Sequence, residues 1–240
     1  MNLPDSDHHA HLRLIHGLTA TLRKWTDQFD EEAKRASART ARDEYEESQI
    51  IDIFYHAGFA DLARSHAVIC TISAFLESLF KTNFRAVWQR GEIAVSAKDP
   101  RLVGLGGNIE LFWDLEKCVK REGIAKRIAV ILSATGLAKY FGTDFEKEIT
   151  AIFDYRNQMV HNGFEWPQEV REAFNQRATE NNWSQWFSVA TSNHQPWFYT
   201  ITPEFHETCL QICDRSVLAF EGLLVGDWEL YDLKFGPRQP

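Results

Sequence analysis

The sequence has no CxxC pair, no excess of positive charge and no long apolar run. Its four cysteines, Cys70, Cys118, Cys209 and Cys213, stand in apolar, helix-like surroundings. Nothing in their spacing suggests a disulfide framework or a thiolate zinc site. Residues 1–14, MNLPDSDHHAHLRL, lack a basic start followed by an apolar core, so no secretory signal is expected. Together these absences lead us to expect reduced core thiols in a cytoplasmic protein. No apolar run reads as approaching the ~18–20 residues that cross a bilayer, so no membrane span is expected. The net charge of −8 argues against a general nucleic-acid coat, because non-specific binding comes from Lys and Arg neutralising phosphates. Local basic clusters do occur, at Lys117, Lys120, Arg121, Lys126 and Arg127 and at Lys34, Arg35, Arg39 and Arg42. Runs of this kind read first as solvated helix faces.

What is present is enough apolar material for a sizeable core: 44% hydrophobic and 13% aromatic residues. There is no internal repeat and no low-complexity tract. Residues 8–24 and 26–49 read as two polar amphipathic helices, the second rich in Glu, Arg and Ala. The strongest helix is expected at about 60–90, introduced by Gly58 and Asp61. In it Val68, Ile69, Ile72, Phe75, Leu76, Leu79 and Phe80 recur at three- and four-residue spacing. The Gly and Pro of residues 91–108 suggest a long loop. Further helices are expected from Asn108 to about Arg121, near 124–140, from Thr143 or Asp144 to Asn162-Gly163, and at about 167–181. WFSVATSNHQPWFYTIT reads as a hairpin around SNHQP. Pro203 opens a last helix to about Leu224, and the tail after it is ambiguous. The expected fold is therefore mainly α, an up-and-down helical bundle with a small β-hairpin before the last helix. Residues 1–50 are expected to form a helical extension and residues 51–240 the bundle domain.

Residues 154–163, DYRNQMVHNG, raise the functional question. At about 100° per residue, Phe145, Ile149, Ile152, Phe153 and Val160 fall on one stripe, with Arg156 in its middle. A charge buried there needs a partner, because burying it alone is costly. Asp154, Asn157 and His161 share another face. His161 sits at the helix end, where free carbonyls favour an imidazolium and where a ligand can reach it. Two readings stand side by side. One is a helix terminus with a favourable His, an Asn-Gly stop and an Arg bridging to a carboxylate. The other is a working site.

The run RNQMVH, an Arg-Asn followed by three residues and His, resembles the Arg-x4–6-His signature of the HEPN superfamily (higher eukaryotes and prokaryotes nucleotide-binding). The context is also similar: a bundle helix carries the motif near its end, a hairpin follows, and one long helix closes the bundle. An earlier apolar helix with a Glu, here FLESLF with Glu77, fits as well. The resemblance covers about 59–224 and leaves residues 1–50 unexplained. It implies a HEPN-like bundle and a metal-independent ribonuclease that works as a homodimer across a cleft, in a toxin–antitoxin or defence setting. In that reading RNA is the substrate and no cofactor is needed. His161 is the general acid or base, Arg156 stabilises the phosphate charge, and Asn157 orients one of them. Asp154 and Glu77 are supporting residues, Glu77 as a candidate buried partner of Arg156. An antitoxin or a nucleotidyltransferase-like protein is the implied partner, with no membrane. The alternative is a non-catalytic HEPN-type dimer that binds nucleotides or a protein. Arg156 and His161 lie about 140° apart on an ideal helix, so a second motif helix across a dimer cleft would help complete the site.

Other motifs favour structure over chemistry. His8, His9 and His11 have no carboxylate or cysteine pattern to complete a metal site and read as a mobile terminus. Cys209 and Cys213 share a helix face and read as core. GLGG at 104–107 follows no clear strand and lacks a P-loop Lys. Trp183, Trp186, Phe187, Trp197, Phe198 and Tyr199 could stack bases. Their position around the hairpin favours packing it onto the bundle.

Overall fold

The computed structural model describes residues 7–97, 123–134, 137–192 and 195–225. Asp7 opens the first helix, its carboxylate accepting the Ala10 amide at 2.8 Å, as an N-cap does. Helix α1 then runs His8–Ser37 without the break expected near Trp25. Thr26 is accommodated inside it by donating to the Arg23 carbonyl at 2.9 Å. Residues 8–11 are thus helical, and not the mobile terminus the sequence suggested. His8 lies edge-on to Phe75, and His9 pairs with Glu221.

Helix α2 runs Glu44–Ala97, one element where the sequence suggested two and a loop. Its start carries a reciprocal cap. Asp43 Oδ1 accepts the Glu46 amide at 2.8 Å, and Glu46 Oε2 accepts the Arg42 amide at 2.9 Å. Gly58 does not break the helix; it makes room. A Cβ there would lie 3.2 Å from Phe198 Cζ, so the glycine lets the hairpin approach the helix closely. From Gly91 on, the helix continues over seven residues that were expected to begin a loop, since a single glycine is tolerated inside a helix. Contrary to the sequence expectation, one stretch within Glu44–Ala86 is long and apolar enough to cross a membrane; 56% of that window is buried within the fold. Its apolar residues include the predicted stripe, and Val68 through Phe80 of that stripe are all buried.

The remaining described elements follow the expected order. Helix α3 is Ile124–Ala134, and a short 3-10 helix covers Leu137–Tyr140. Helix α4, Phe145–Asn162, carries the motif. Helix α5 is Gln168–Glu180. Strands β1, Phe187–Ser192, and β2, Gln195–Ile201, form an antiparallel hairpin pairing Phe187 with Ile201 and Val189 with Tyr199. Helix α6, Pro203–Val225, follows at once. The chain is mainly helical with a small hairpin before its last described helix. The expected helix at 108–121, GLGG, Cys118, the Lys117–Arg121 half of one basic cluster and the tail from 226 lie outside the described residues.

The described residues divide into two compact units. One lies within Met1–Leu12, Ile72–Asp154 and Thr208–Pro240. Its centre is aromatic: Phe80, Phe84, Phe141, Phe145 and Phe220 meet with ring centroids 4.7–6.2 Å apart. Pairs of this kind add ~0.5–1.5 kcal/mol each beyond the area they bury. Cys209 and Cys213 are fully buried in this unit as free thiols, as their sequence context suggested. A nearly buried ion pair, Arg215 to Glu148 at 2.8 Å, is completed by Arg215 donating to the Phe141 carbonyl at 2.8 Å.

The other unit lies within Arg13–Thr71 and Tyr155–Glu207. Tyr155, Trp166, Phe174, Phe187 and Tyr199 form its core, and Trp186 stacks on Phe205. The aromatics around the hairpin are therefore buried, Trp197 excepted, and do the packing expected of them. Trp197 is half-buried and meets Tyr55 and Phe59 edge-on.

Candidate active site

The motif helix is held at its end by two devices. The Tyr155 hydroxyl donates to the Tyr199 carbonyl at 2.7 Å inside the core, which ties the helix to β2. Burial raises the pKa of this phenol, so it remains a donor. Gly163 then stops the helix at φ +69°, the left-handed conformation that favours glycine. Its amide returns to the Met159 carbonyl at 3.0 Å, and its own carbonyl takes the Trp166 indole N–H at 3.0 Å. The Asn-Gly stop read from the sequence is in place.

The buried face differs from the predicted stripe. Phe145, Ile149, Ile152 and Phe153 are buried as expected. In the last turns burial passes to Tyr155 and Met159, while Val160 is 55% exposed. The cause is the pull of Tyr155 toward the hairpin, which turns the final part of the face away from Arg156 and Val160. Arg156 is accordingly half-buried and not centred on a buried stripe.

Arg156 Nη1 donates to Asn157 Oδ1 at 3.1 Å. The structure thus brings two of the three motif residues together. Asn157 is exposed, and His161, one helical turn further on the same face, is exposed beside Val160 and Phe164. His161 makes no hydrogen bond or ion pair among the described residues. Asp154 is half-buried on the face it shares with Asn157 and His161. Glu77 is half-buried and takes Lys81 Nζ at 2.5 Å.

Sequence reading missed the residues of α2 that line the motif helix. Tyr155 lies beside Ser65 and Cys70. Cys70 is half-buried; burial pushes its thiol up, and the Arg156 guanidinium nearby pulls it partway back. One turn earlier, His66 stands edge-on to Phe164, with centroids 5.4 Å apart and planes at 89°. Phe164 follows directly on the Gly163 stop. His66 is half-buried, and that burial lowers its pKa. The signal in the sequence was HAVIC, a His and a Cys four apart inside an apolar helix, and therefore on one face.

Chemically, the helix end offers a planar cation for phosphate oxygens and an amide that fixes that cation in place. It also offers an imidazole open to solvent. Among the described residues no group of three or more His, Cys, Asp or Glu is placed to hold a metal. Elsewhere the basic cluster at the end of α1 and just beyond it is exposed, with Lys34 paired to Glu31 at 2.8 Å. Arg35 and Arg39 line an open cleft of about 580 Å³ with Lys24, Asp27 and Glu31. The mixed charge there suits a solvated face. Comparison with known protein families, with curated proteins and with solved structures gives no match.

Proposed function

We propose that the chain is a metal-independent endoribonuclease of the HEPN type, acting in the cytoplasm as a homodimer in a toxin or defence setting. The observation that carries the reading is the bond between Arg156 and Asn157 one turn before an exposed His161. A helix terminus built only for stability does not need its guanidinium steered toward the face where the imidazole lies. In the proposed reaction the ribose 2′-oxygen attacks phosphorus, Arg156 neutralises charge building on the phosphate oxygens, and His161 moves a proton. Exposed Val160 and Phe164 beside His161 give the apolar rim that a second motif helix would cover. An antitoxin or a nucleotidyltransferase-like protein is the proposed partner. The test is incubation of the purified chain with RNA in EDTA, with mapping of the product ends. Cleavage leaving 2′,3′-cyclic phosphate supports the mechanism. Cleavage lost in EDTA and restored by magnesium refutes it.

A second reading, an interaction module without catalysis, has one observation in its favour. Ile51, Phe54, Tyr55 and Phe59 form a stripe on α2, each 38–46% exposed. That face suits a protein partner better than RNA. Ordered RNA cleavage by the wild type, abolished in His161→Ala, excludes this reading as the main function.

A further inference from the structure

Cleavage by 2′-OH attack needs two proton transfers, one from the nucleophile and one to the leaving oxygen. The motif contains one histidine. His161 and Arg156 leave the helix about 140° apart, and the Arg156 guanidinium is near enough to Cys70 of α2 to lower the pKa of its thiol. His66 lies one turn from Cys70 on the same α2 face and is seated against Phe164, just past the end of the motif helix. The geometry points to His66 as the second proton-transfer residue, working beside Arg156 of its own chain. This inference rests on the ribonuclease reading above and deepens it.

The step balances without a co-reactant. Neutral His66 takes the 2′-OH proton as the 2′-oxygen bonds to phosphorus. The bond from phosphorus to the 5′-oxygen breaks, and that oxygen takes a proton from protonated His161. The products are a 2′,3′-cyclic phosphate and a 5′-hydroxyl, and exchange with water resets both imidazoles. Burial already favours the neutral form of His66, the form a base requires. Phe164 holds the ring on edge, and its 45% exposure leaves that side of the helix end open to a substrate.

The test uses the full-length chain with His66→Ala, His161→Ala and Arg156→Ala, assayed for RNA cleavage, RNA binding and melting temperature. His66→Ala is expected to lose about 10²–10⁴-fold in cleavage while RNA affinity and melting temperature hold. Added imidazole should restore part of that rate, which a packing role for His66 would not allow. When separately inactive Arg156→Ala and His66→Ala chains are mixed, cleavage should stay absent, because both lesions fall in one chain's half of the site. Wild-type cleavage by His66→Ala, with His161→Ala inactive, overturns the inference and leaves the ribonuclease reading standing. So does a loss that imidazole cannot restore, or recovery on mixing. If the wild type cleaves no RNA, the reading and this inference fall together.

Discussion

Replacing Tyr155 with Phe should destabilise the protein through a single oxygen. The Tyr155 side chain is fully buried, and its hydroxyl donates to the Tyr199 carbonyl at 2.7 Å. Ser65 also lies beside the hydroxyl, and Ser65 Oγ itself accepts the Ile201 amide at 3.0 Å. The substitution keeps the ring and its contacts with Trp166, Phe174 and Phe187, so almost no apolar area changes. What changes is that a buried carbonyl loses a donor in a place where it has little access to water. A stranded buried acceptor costs ~1–3 kcal/mol, against only ~0.5–1.5 kcal/mol net for an ordinary hydrogen bond. For a chain of this size ~2 kcal/mol corresponds to roughly 4–8 °C in melting temperature. The assay is thermal and urea unfolding followed by circular dichroism on wild type and Tyr155→Phe. Because the bond joins the motif helix to β2, the loss should appear in the cooperative transition and not as a separate early step. A melting temperature unchanged within a degree would show that the hydroxyl does not anchor the helix, and the explanation given for the turned face of α4 would fail with it.

The other expectations follow from burial and charge. His161 is exposed and makes no hydrogen bond or ion pair among the described residues, so His161→Ala should leave stability within the ~0.5 kcal/mol of ordinary surface changes while lowering cleavage about 10²–10⁴-fold. Unfolding of this variant, or unchanged cleavage, would return the histidine to the role of a helix cap. Acid should weaken the fold from pH 6.5 downward. His206 is 5% exposed, and burial first, then Arg64 and Arg23, depress its pKa below 6.5. The unfolded chain therefore takes up the proton before the folded chain, and stability falls with pH until the folded pKa is passed. Glu148 and Asp61 work the other way at lower pH, since burial raises both and protonation relieves them. Urea unfolding at about pH 7.5 and about pH 5.5 should show the loss, and His206→Gln should show less of it; an equal slope in both proteins would acquit His206.

The way these elements were and were not legible in the sequence has physical causes. The core stripe of α2 was readable because seven apolar residues at helical spacing leave one face no alternative but burial. The Asn-Gly stop was readable because the left-handed conformation is cheap for few residues other than glycine. Gly58 misled because a glycine marks either a break or a close approach, and only the position of Phe198 decides between them. The cap at Asp43 and Glu46 was missed because the apolar pattern that follows it is weak, so nothing drew the eye to a helix start. The turn of the motif helix could not be read at all, since it depends on Tyr155 reaching a carbonyl 44 residues away.

The same long-range contact explains why the three motif residues were easier to find than their setting. Sequence spacing fixes the angles between Arg156, Asn157 and His161 on their own helix, whatever packs around it. It does not fix which side meets a neighbour. Tyr155 settles that by entering the aromatic core, and Arg156, the next residue, is left half-buried, near enough to Cys70 for its charge to lower the pKa of that thiol. Asn157 is then the bridge: its side-chain oxygen draws the guanidinium back toward the exposed face where His161 lies one turn on. Losing Asn157 should therefore remove that hold on the guanidinium while leaving Arg156 and His161 in place. Asn157→Ala should bind RNA nearly as well as wild type and cleave it more slowly, since a cation that must be ordered at each turnover stabilises the transition state less than one held in advance. Equal cleavage by the two proteins would mean that the bond between Arg156 and Asn157 orders nothing the reaction uses.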